Sequence, residues 1–288
     1  MNPISYNPYS SYNNYYPYPS YVDYGYAPQY QQPQQAQEEN PAKTVGLVAL
    51  LQAIAMALPK ISNYFSAKLM AGKEYTSAEN VEKVVDYMKK KNNLNVDVHF
   101  INEANKNNIS RAYGLGNSLD VVAKGENAFY VDNLNLSQEA KNAGLKSKIA
   151  VAPSSKPSLI QHELGHGINA TKKFTKLLQK SRRYSVYAPV ALLLASKIMP
   201  QKENGQQNFI QRNAGILGFA AFLPTIIEEG LASFKGIKSA KEMLKKGLLK
   251  GPVKLNILKR NYAFALATYI LAGIGLGVAS KQTIIENS

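Results

Sequence analysis

The chain has 288 residues, a net charge of +15 and no cysteine. Without cysteine, disulfides and thiolate metal sites are excluded, so any bound metal must be held by histidine and carboxylate. Residues 1–140 carry 11 Lys/Arg and 13 Asp/Glu, whereas the remainder carries 23 and 6. In this basic half the charges alternate with apolar runs, which favours an anionic lipid bilayer as the partner. We find no nucleic-acid-binding motif and expect no nucleic-acid partner.

The N-terminal part divides into two segments of different composition. Residues 1–40 contain ten of the 19 Tyr together with Pro, Asn, Ser and Gln. This segment has no apolar periodicity, so we predict a disordered tail. Residues 41–72 contain an apolar run from Val45 to Leu58, interrupted only by Gln52. They are predicted to form a membrane-associated or membrane-spanning helix.

A small α+β region follows. Thr76-Ser-Ala-Glu79 is a capping-box pattern before apolar residues at helical spacing, which predicts an amphipathic helix. Apolar and polar residues alternate from Leu94 to Phe100, which predicts a half-buried strand with His99 on its solvated face. Residues 128–131 and 148–152 predict two further short strands. Together they predict a small sheet directly ahead of the next motif.

The motif QHELGHGINA at residues 161–170 carries the clearest chemical signal. His162 and His166 are four residues apart, so on a helix they project from one face and can share a metal ion. Glu163 lies about 100° further round the helix, where it can reach a metal-bound water without binding the metal. Neutral imidazoles suit zinc, and a catalytic zinc site keeps a coordination position for water.

The alternative is a surface helix that carries two histidines and a glutamate by chance. Gly165 and Gly167 argue against it, because a glycine inside a helix costs up to about 1 kcal/mol relative to alanine. Two glycines so close together indicate that another backbone approaches this helix. We therefore predict zinc-hydrolase chemistry, with Zn²⁺ as the cofactor.

The rest of the chain alternates between basic and apolar segments. A basic stretch at 172–183 is predicted to lie at a membrane surface. The apolar segments 186–199 and 214–227 predict a hydrophobic hairpin that enters the membrane, the alternative being two buried core helices. A second basic stretch, 235–260, precedes 19 uncharged residues at 262–280, the clearest transmembrane candidate.

A catalytic zinc site needs a third protein ligand. No Asp follows Asp132, and Lys172 occupies the position where a metzincin has its third histidine. The loop position of Glu203, the lysine-rich surroundings of Glu242 and the terminal position of Glu286 disfavour these three. The candidates that remain are Glu228 and Glu229, with Glu229 favoured. The alternative is that this pair only begins a helix, where the helix dipole favours acidic residues.

On these residues the chain resembles integral-membrane zinc metallopeptidases of the gluzincin group. It is similar to the HtpX-type and C-a-a-X-processing proteases and to the YugP-type putative neutral zinc metallopeptidases. Their third ligand lies in Glu-x-x-Ala-Asp or Glu-x-x-Ala-Ser, and Glu229-Gly-Leu-Ala-Ser233 matches the second version. The resemblance implies that Glu229 is the third ligand and Glu228 its neighbour. Because Ser233 replaces the Asp of the HtpX pattern, the support of a zinc-binding histidine must differ.

The resemblance also implies the fold and a substrate contact. We expect an α+β, mainly α fold, in which a zincin-like catalytic core of a small sheet and an active-site helix is combined with transmembrane helices. The predicted domains are a catalytic domain at 73–260, with the hairpin 186–227 inserted, and a transmembrane helix with a short tail at 261–288. Asn127-Ala-Phe-Tyr130 is similar to a segment ahead of the zinc helix in the processing proteases. By that similarity Asn127 contacts the substrate backbone or the developing oxyanion.

The predicted function is a membrane-anchored zinc metalloendopeptidase that hydrolyses peptide bonds with a zinc-activated water. His162, His166 and Glu229 bind the metal, and Glu163 is the general base. The basic stretches place the catalytic side in the cytoplasm of a multi-pass cell-membrane protein. The alternative is a non-enzymatic membrane protein with a structural or vestigial zinc site. Whether Arg212, Arg260 or Tyr262 assists as an electrophile is left open.

Overall fold

The computed structural model describes residues 41–200 and 206–287, with side chains from residue 46 onward. The predicted tail, 1–40, and Glu203 lie outside these residues. The strands are β1 (Asp97–Ile101), β2 (Phe129–Val131) and β3 (Ile149–Pro153). The helices are α1 (Pro41–Ala71), α2 (Ala78–Asn92), α3 (Lys106–Tyr113), α4 (Ser118–Ala123), α5 (Gln138–Asn142), α6 (Leu159–Ala170), α7 (Lys173–Ser185), α8 (Ala188–Ile198), α9 (Phe209–Lys245) and α10 (Leu255–Glu286). The prediction of a mainly helical protein with a small sheet is confirmed.

The described residues form two compact units. The first comprises Lys68–Lys176 and Glu228–Ala263 and contains the sheet and α6. The second takes the described residues of 41–67, 177–227 and 264–287 and is built from helices. Helices α1, α9 and α10 each contribute residues to both units.

The sheet of the first unit has the strand order β1-β3-β2. β3 pairs in parallel with β1, where Asp97 faces Ile149, and antiparallel with β2, where Phe129 faces Val151. The strands predicted at 128–131 and 148–152 are confirmed. The strand predicted from Leu94 begins only at Asp97, and its first four residues are all half-buried instead of alternating. The expectation of one buried and one solvated face is therefore wrong for β1.

Both faces of β3 are covered, which explains why all five of its residues are buried. Successive side chains of a strand point to opposite faces. Ile149 and Val151 belong to an apolar cluster with residues of α3, α4 and α5. Ala150 and Ala152 therefore point to the other face, where Tyr130 of β2 packs against Gly167 of α6. The small alanines leave room for α6 to lie close to the sheet.

The cap of α2 lies one residue later than the capping-box pattern predicts. Ser77 is the N-cap, and its Oγ accepts a hydrogen bond from the backbone N–H of Asn80 at 3.4 Å. Thr76 instead accepts from the side-chain amide of Asn80. The predicted amphipathic helix itself is confirmed, because its apolar residues are buried: Val81, Val84, Val85 and Met88.

Among the described residues, three helices are long and apolar enough to cross a membrane: α1 over Gly46–Ala71, α9 and α10. Only 6%, 28% and 39% of the residues in their most apolar windows are buried, so most residues of these windows keep some exposed surface. This exposure is consistent with a membrane protein and disfavours a soluble core built from these helices.

The two segments of the predicted hairpin belong to helices of very different length. Its first segment is the 11-residue helix α8, whose length of about 16 Å is too short to cross the roughly 30 Å apolar layer of a bilayer. Its second segment, 214–227, is part of the 37-residue helix α9. Asn208 connects the two helices, because its side-chain amide donates to the Ser196 carbonyl at 2.7 Å.

Small residues allow α9 and α10 to pack closely within the second unit. A Cβ atom on Gly277 of α10 would lie 2.6 Å from the carbonyl oxygen of Gly215 of α9. A Cβ atom on Gly218 would lie 2.6 Å from Cβ of Ser280. Close contacts between small residues are a common means of association for helices in lipid, where no hydrophobic driving force acts between them.

We predict that Gly277→Ala destabilises the protein. Alanine favours a helix by up to about 1 kcal/mol over glycine, but crowding in a packed interface costs about 1–3 kcal/mol. Gly46→Ala is the matched control, since a Cβ atom there meets nothing within 4 Å. Thermal unfolding in detergent should give a lower Tm for Gly277→Ala than for Gly46→Ala. Equal values would contradict this packing.

Candidate metal centre

Helix α6 places the predicted motif in the interior of the first unit. Its residues from Leu159 to Asn169 are buried, apart from a half-buried His166. The helix ends at Ala170, and the basic residues that follow belong to a separate helix, α7. The motif and the basic stretch at 172–183 are therefore on two separate helices. The break confines the motif to a short buried helix.

Glu228 and Glu229 lie within α9, which begins at Phe209 and continues without interruption to Lys245. The alternative in which this pair begins a helix is therefore wrong. Both residues are 1% exposed. Burying two adjacent acids is unfavourable unless each has a polar or cationic partner, so their surroundings determine the chemistry of the site.

Glycines bring α6 and α9 together. A Cβ atom on Gly165 would lie 2.3 Å from the carbonyl oxygen of Ala232. Every residue other than glycine has a Cβ atom and would therefore clash with the α9 backbone. One turn later on α9, a Cβ atom on Gly236 would lie 3.1 Å from the carbonyl oxygen of Gln161. The predicted close approach at Gly165 is therefore present. Gly167 contacts the ring of Tyr130 instead, so its predicted contact with the second helix is wrong.

The approach of the two helices brings His162, His166 and Glu229 together. Nε2 of His162 lies 3.1 Å from Oε2 of Glu229 and 3.1 Å from Nε2 of His166. Nε2 of His166 lies 3.5 Å from the same Glu229 oxygen. The three side chains form a buried group that could hold a metal ion.

The spacing of these three atoms fits a small cation. Ligand atoms bound to zinc at 2.0–2.1 Å in tetrahedral geometry lie about 3.3 Å apart. The distances observed are 3.1, 3.1 and 3.5 Å. Two imidazoles and one carboxylate are also a donor set that zinc uses in catalytic sites. The residues therefore fit zinc in both chemistry and spacing.

The outer nitrogens of both histidines have partners on α9. Nδ1 of His166 lies 2.8 Å from Oε1 of Glu228, and Nδ1 of His162 lies 3.0 Å from Oγ of Ser233. If each Nδ1 donates its proton outward, each neutral ring directs the lone pair of Nε2 towards Glu229. Lone pairs and a carboxylate that face one another repel unless a metal cation or a proton lies between them. Ser233 thus makes the contact that an aspartate makes in the HtpX pattern.

A polar network extends from Glu228 to Asn169 and Lys235. The side-chain amide of Asn169 donates to Oε1 of Glu228 at 2.7 Å and to its backbone carbonyl at 3.2 Å. The Lys235 ammonium in turn donates to Oδ1 of Asn169. Glu228 therefore contacts the outer nitrogen of His166, and it is not part of the group that could hold a metal ion. Asn169 lies inside the predicted motif and Lys235 inside a predicted basic stretch, but no local pattern joins them, because only the packing of α6 on α9 brings the two side chains together.

Glu163 is 2% exposed, and its Oε1 atom has no hydrogen-bond partner among the described residues. Burial raises the pKa of Glu163 above its ordinary value, and the nearby imidazoles of His162 and His166 offset part of that rise. A buried carboxyl oxygen without a partner is costly. A water or substrate group that hydrogen-bonds to Glu163 would remove that cost.

Two tyrosines hold the first turn of α6. Tyr262 of α10 donates to the Ser158 carbonyl at 2.7 Å, and its ring lies 5.6 Å from the ring of His162. Burial raises the pKa of Tyr75 to about 12. The neutral Tyr75 hydroxyl accepts from the Gln161 amide at 2.6 Å. The hydroxyl of Tyr262 is thus engaged with the backbone, which favours a positioning role over that of an electrophile.

Asn127 and His99 each have a hydrogen-bonding contact with a residue nearby in the chain. Oδ1 of Asn127 accepts from the backbone N–H of Ala128 at 2.9 Å, at the entrance to β2. Nε2 of His99 lies 3.1 Å from the hydroxyl of Tyr113, which itself donates to Asp97 at 2.7 Å. His99 is therefore half-buried and hydrogen-bonded, where the sequence predicted a solvated residue.

No family model matches the sequence, and no match is found among curated proteins or among solved structures. The resemblance to membrane gluzincins therefore depends on the residues of this chain alone.

We predict that Glu229→Ala abolishes metal binding. Loss of an outer hydrogen-bond partner of a ligand lowers affinity about 10- to 100-fold, and loss of the ligand itself should exceed that range. Zinc titration of the purified protein provides the measurement. Glu242→Ala is the control, because this residue is also on α9 but pairs with Lys91 and Tyr87. Equal affinities in the two variants would contradict the assignment.

Glu228→Ala should weaken zinc binding about 10- to 100-fold without abolishing it, since His166 loses the acceptor that orients its ring. Glu228→Gln should have a smaller effect, because the amide oxygen still accepts from Nδ1. The same titration separates the two roles of the acidic pair. A complete loss of binding in Glu228→Ala would identify Glu228 as a ligand.

Proposed function

We propose that this protein is a membrane-anchored, zinc-dependent endopeptidase of the gluzincin type, with a zincin-like core. The buried group of two histidines and a glutamate carries the proposal. Its support is the spacing of His162, His166 and Glu229, which fits tetrahedral zinc, beside the buried Glu163 carboxyl group, whose Oε1 atom has no hydrogen-bond partner among the described residues.

Each residue of the site has a distinct role in this proposal. His162, His166 and Glu229 hold the metal, while Ser233 and Glu228 orient the two imidazoles. Glu163 takes a proton from the attacking water and passes it to the leaving amine as the peptide bond breaks. The bound zinc would lower the pKa of the water and polarise the scissile carbonyl.

The edge of the sheet offers a place for an extended substrate. β2 is an edge strand in the described sheet, and Tyr130 packs on the α6 glycine next to His166. A peptide could add to this edge through main-chain hydrogen bonds. Asn127 precedes the strand, and its oxygen is used by the local turn. Its amide Nδ2 would therefore be the group that donates to the substrate backbone or oxyanion.

Membrane anchorage is proposed through α1, α9 and α10. The basic stretches 172–183 and 235–260 place the catalytic side in the cytoplasm under the positive-inside rule. The substrate would accordingly be a peptide segment of a membrane protein or of a protein that reaches the membrane surface.

A second candidate function is a structural metal site in a non-enzymatic membrane protein. One observation favours it: the site is closed, with His162, Glu163 and Glu229 at 1–2% exposure and the His166 side chain at 12%. Structural zinc sites are closed, whereas catalytic ones keep a position open to substrate. An endopeptidase with this fold must therefore open at least one element around Glu163.

We predict that Glu163→Gln retains zinc but loses hydrolysis. Glutamine fills the same space without accepting a proton, and a general base contributes about 10²- to 10⁴-fold to a rate. Cleavage of unfolded and membrane-protein substrates by the purified full chain is compared between the wild type and the variant at equal zinc content. Zinc binding without hydrolysis in the wild type would favour the structural site. Unchanged cleavage by Glu163→Gln would exclude this mechanism.

A further inference from the structure

Helix α7 carries two parallel exposed stripes of different chemistry. Lys173, Lys176, Lys180 and Arg183 follow the spacing i, i+3, i+7, i+10 and are all exposed. The aromatic and aliphatic residues Phe174, Leu177 and Tyr184 lie one residue later at i, i+3 and i+10, with the half-buried Ser181 at i+7, and are 64%, 63% and 71% exposed. At about 100° per residue, the two stripes lie side by side on one half of the helix.

The opposite half of α7 makes the contacts that hold it in the protein. Thr175, Leu178 and Ser185 are buried on that side. Arg182 lies over the ring of Tyr269, 5.4 Å from its centroid. The apolar stripe is therefore not needed for the packing of α7. Large apolar side chains that remain exposed in a row mark a surface that binds something.

The helix that follows α7 continues this apolar surface. Val186 and Tyr187, which connect the two helices, are each 64% exposed. On α8, Val190, Leu194 and Ile198 recur every four residues at 56%, 58% and 84% exposure. This helix is too short to cross a bilayer, so its apolar face would lie in the surface layer of a membrane instead of spanning it.

We propose that α7 lies in the plane of the membrane and binds an anionic phospholipid surface. The apolar stripe enters the boundary between headgroups and acyl chains, while the adjacent basic stripe pairs with lipid phosphates and carboxylates. Charge complementarity commits the surface to this occupant, since four cations flank three apolar side chains and the exposed stripes contain no acid. The proposal does not depend on the proposed peptidase activity.

The absence of cysteine allows a direct test in the full-length protein. A cysteine at position 177 or, as a control, at 141 on α5 is labelled with an environment-sensitive fluorophore. The protein is reconstituted into nanodiscs of phosphatidylcholine alone or of phosphatidylcholine mixed with phosphatidylserine. Fluorescence lifetimes, with quenching by spin-labelled lipid, give the ratio of lipid-shielded to water-exposed probe.

The probe at 177 should be shielded in the anionic discs, less so in neutral discs, and released as salt concentration rises. The probe at 141 should stay in water throughout. In the anionic discs Lys176→Glu/Lys180→Glu should lower the shielded-to-exposed ratio roughly tenfold or more. The matched control is Lys90→Glu/Lys124→Glu, which changes net charge equally at exposed positions on α2 and after α4. It should leave the ratio unchanged.

Three outcomes would overturn the proposal. The probe at 177 could stay in water in anionic discs, which would show that the stripe does not bind lipid. It could be shielded equally in neutral discs and in detergent, which would indicate a protein partner or a second copy of the chain. The two charge variants could also behave alike, which would show that α7 has no specific part in the binding.

Discussion

The contact between Gly165 and the backbone of Ala232 is the constraint on which the candidate site depends. Any side chain at 165 would push α9 away from α6, because its Cβ atom would lie 2.3 Å from a carbonyl oxygen. The histidines are on α6 and the glutamates are on α9. His162 and Glu229 are 67 residues apart in the chain. Helical periodicity then fixes which side chains of α9 face α6. Glu229 and Ser233, one turn apart, both reach His162.

The second feature of the site is that the outer nitrogens of both histidines already have hydrogen-bond partners. Glu228, Asn169 and Lys235 form a chain behind His166, and Ser233 lies behind His162. A buried network of this kind fixes ring orientation, and the low polarity of the interior strengthens its hydrogen bonds. The inner atoms of His162, His166 and Glu229 face one another, and a cation between them would contact all three. The same burial explains why substrate access to Glu163 would require movement.

Helix α9 joins two environments in one element. Its first half has the apolar composition of a membrane span, and its second half carries the acids of the candidate site and then four lysines from 235 to 245. The charged residues at one end favour water or lipid headgroups, whereas the apolar end favours lipid. One continuous helix thus carries both an apolar segment long enough for a membrane and the acids of the candidate site.

The sequence alone determined the residues with clear local signals. The HELGH motif, the apolar helices, α2 and two of the three strands follow from spacing and periodicity, which act over a few residues. The sequence also ranked Glu229 above Glu228, although the two are adjacent and chemically alike. Only the tertiary structure decided that Glu229 faces both Nε2 atoms while Glu228 faces Nδ1 of His166, and only it revealed Asn169 and Lys235. Those roles depend on how two helices far apart in the chain pack against each other. Backbone contacts at Gly165 and Gly236 allow that packing, and no local pattern predicts which side chains it brings together.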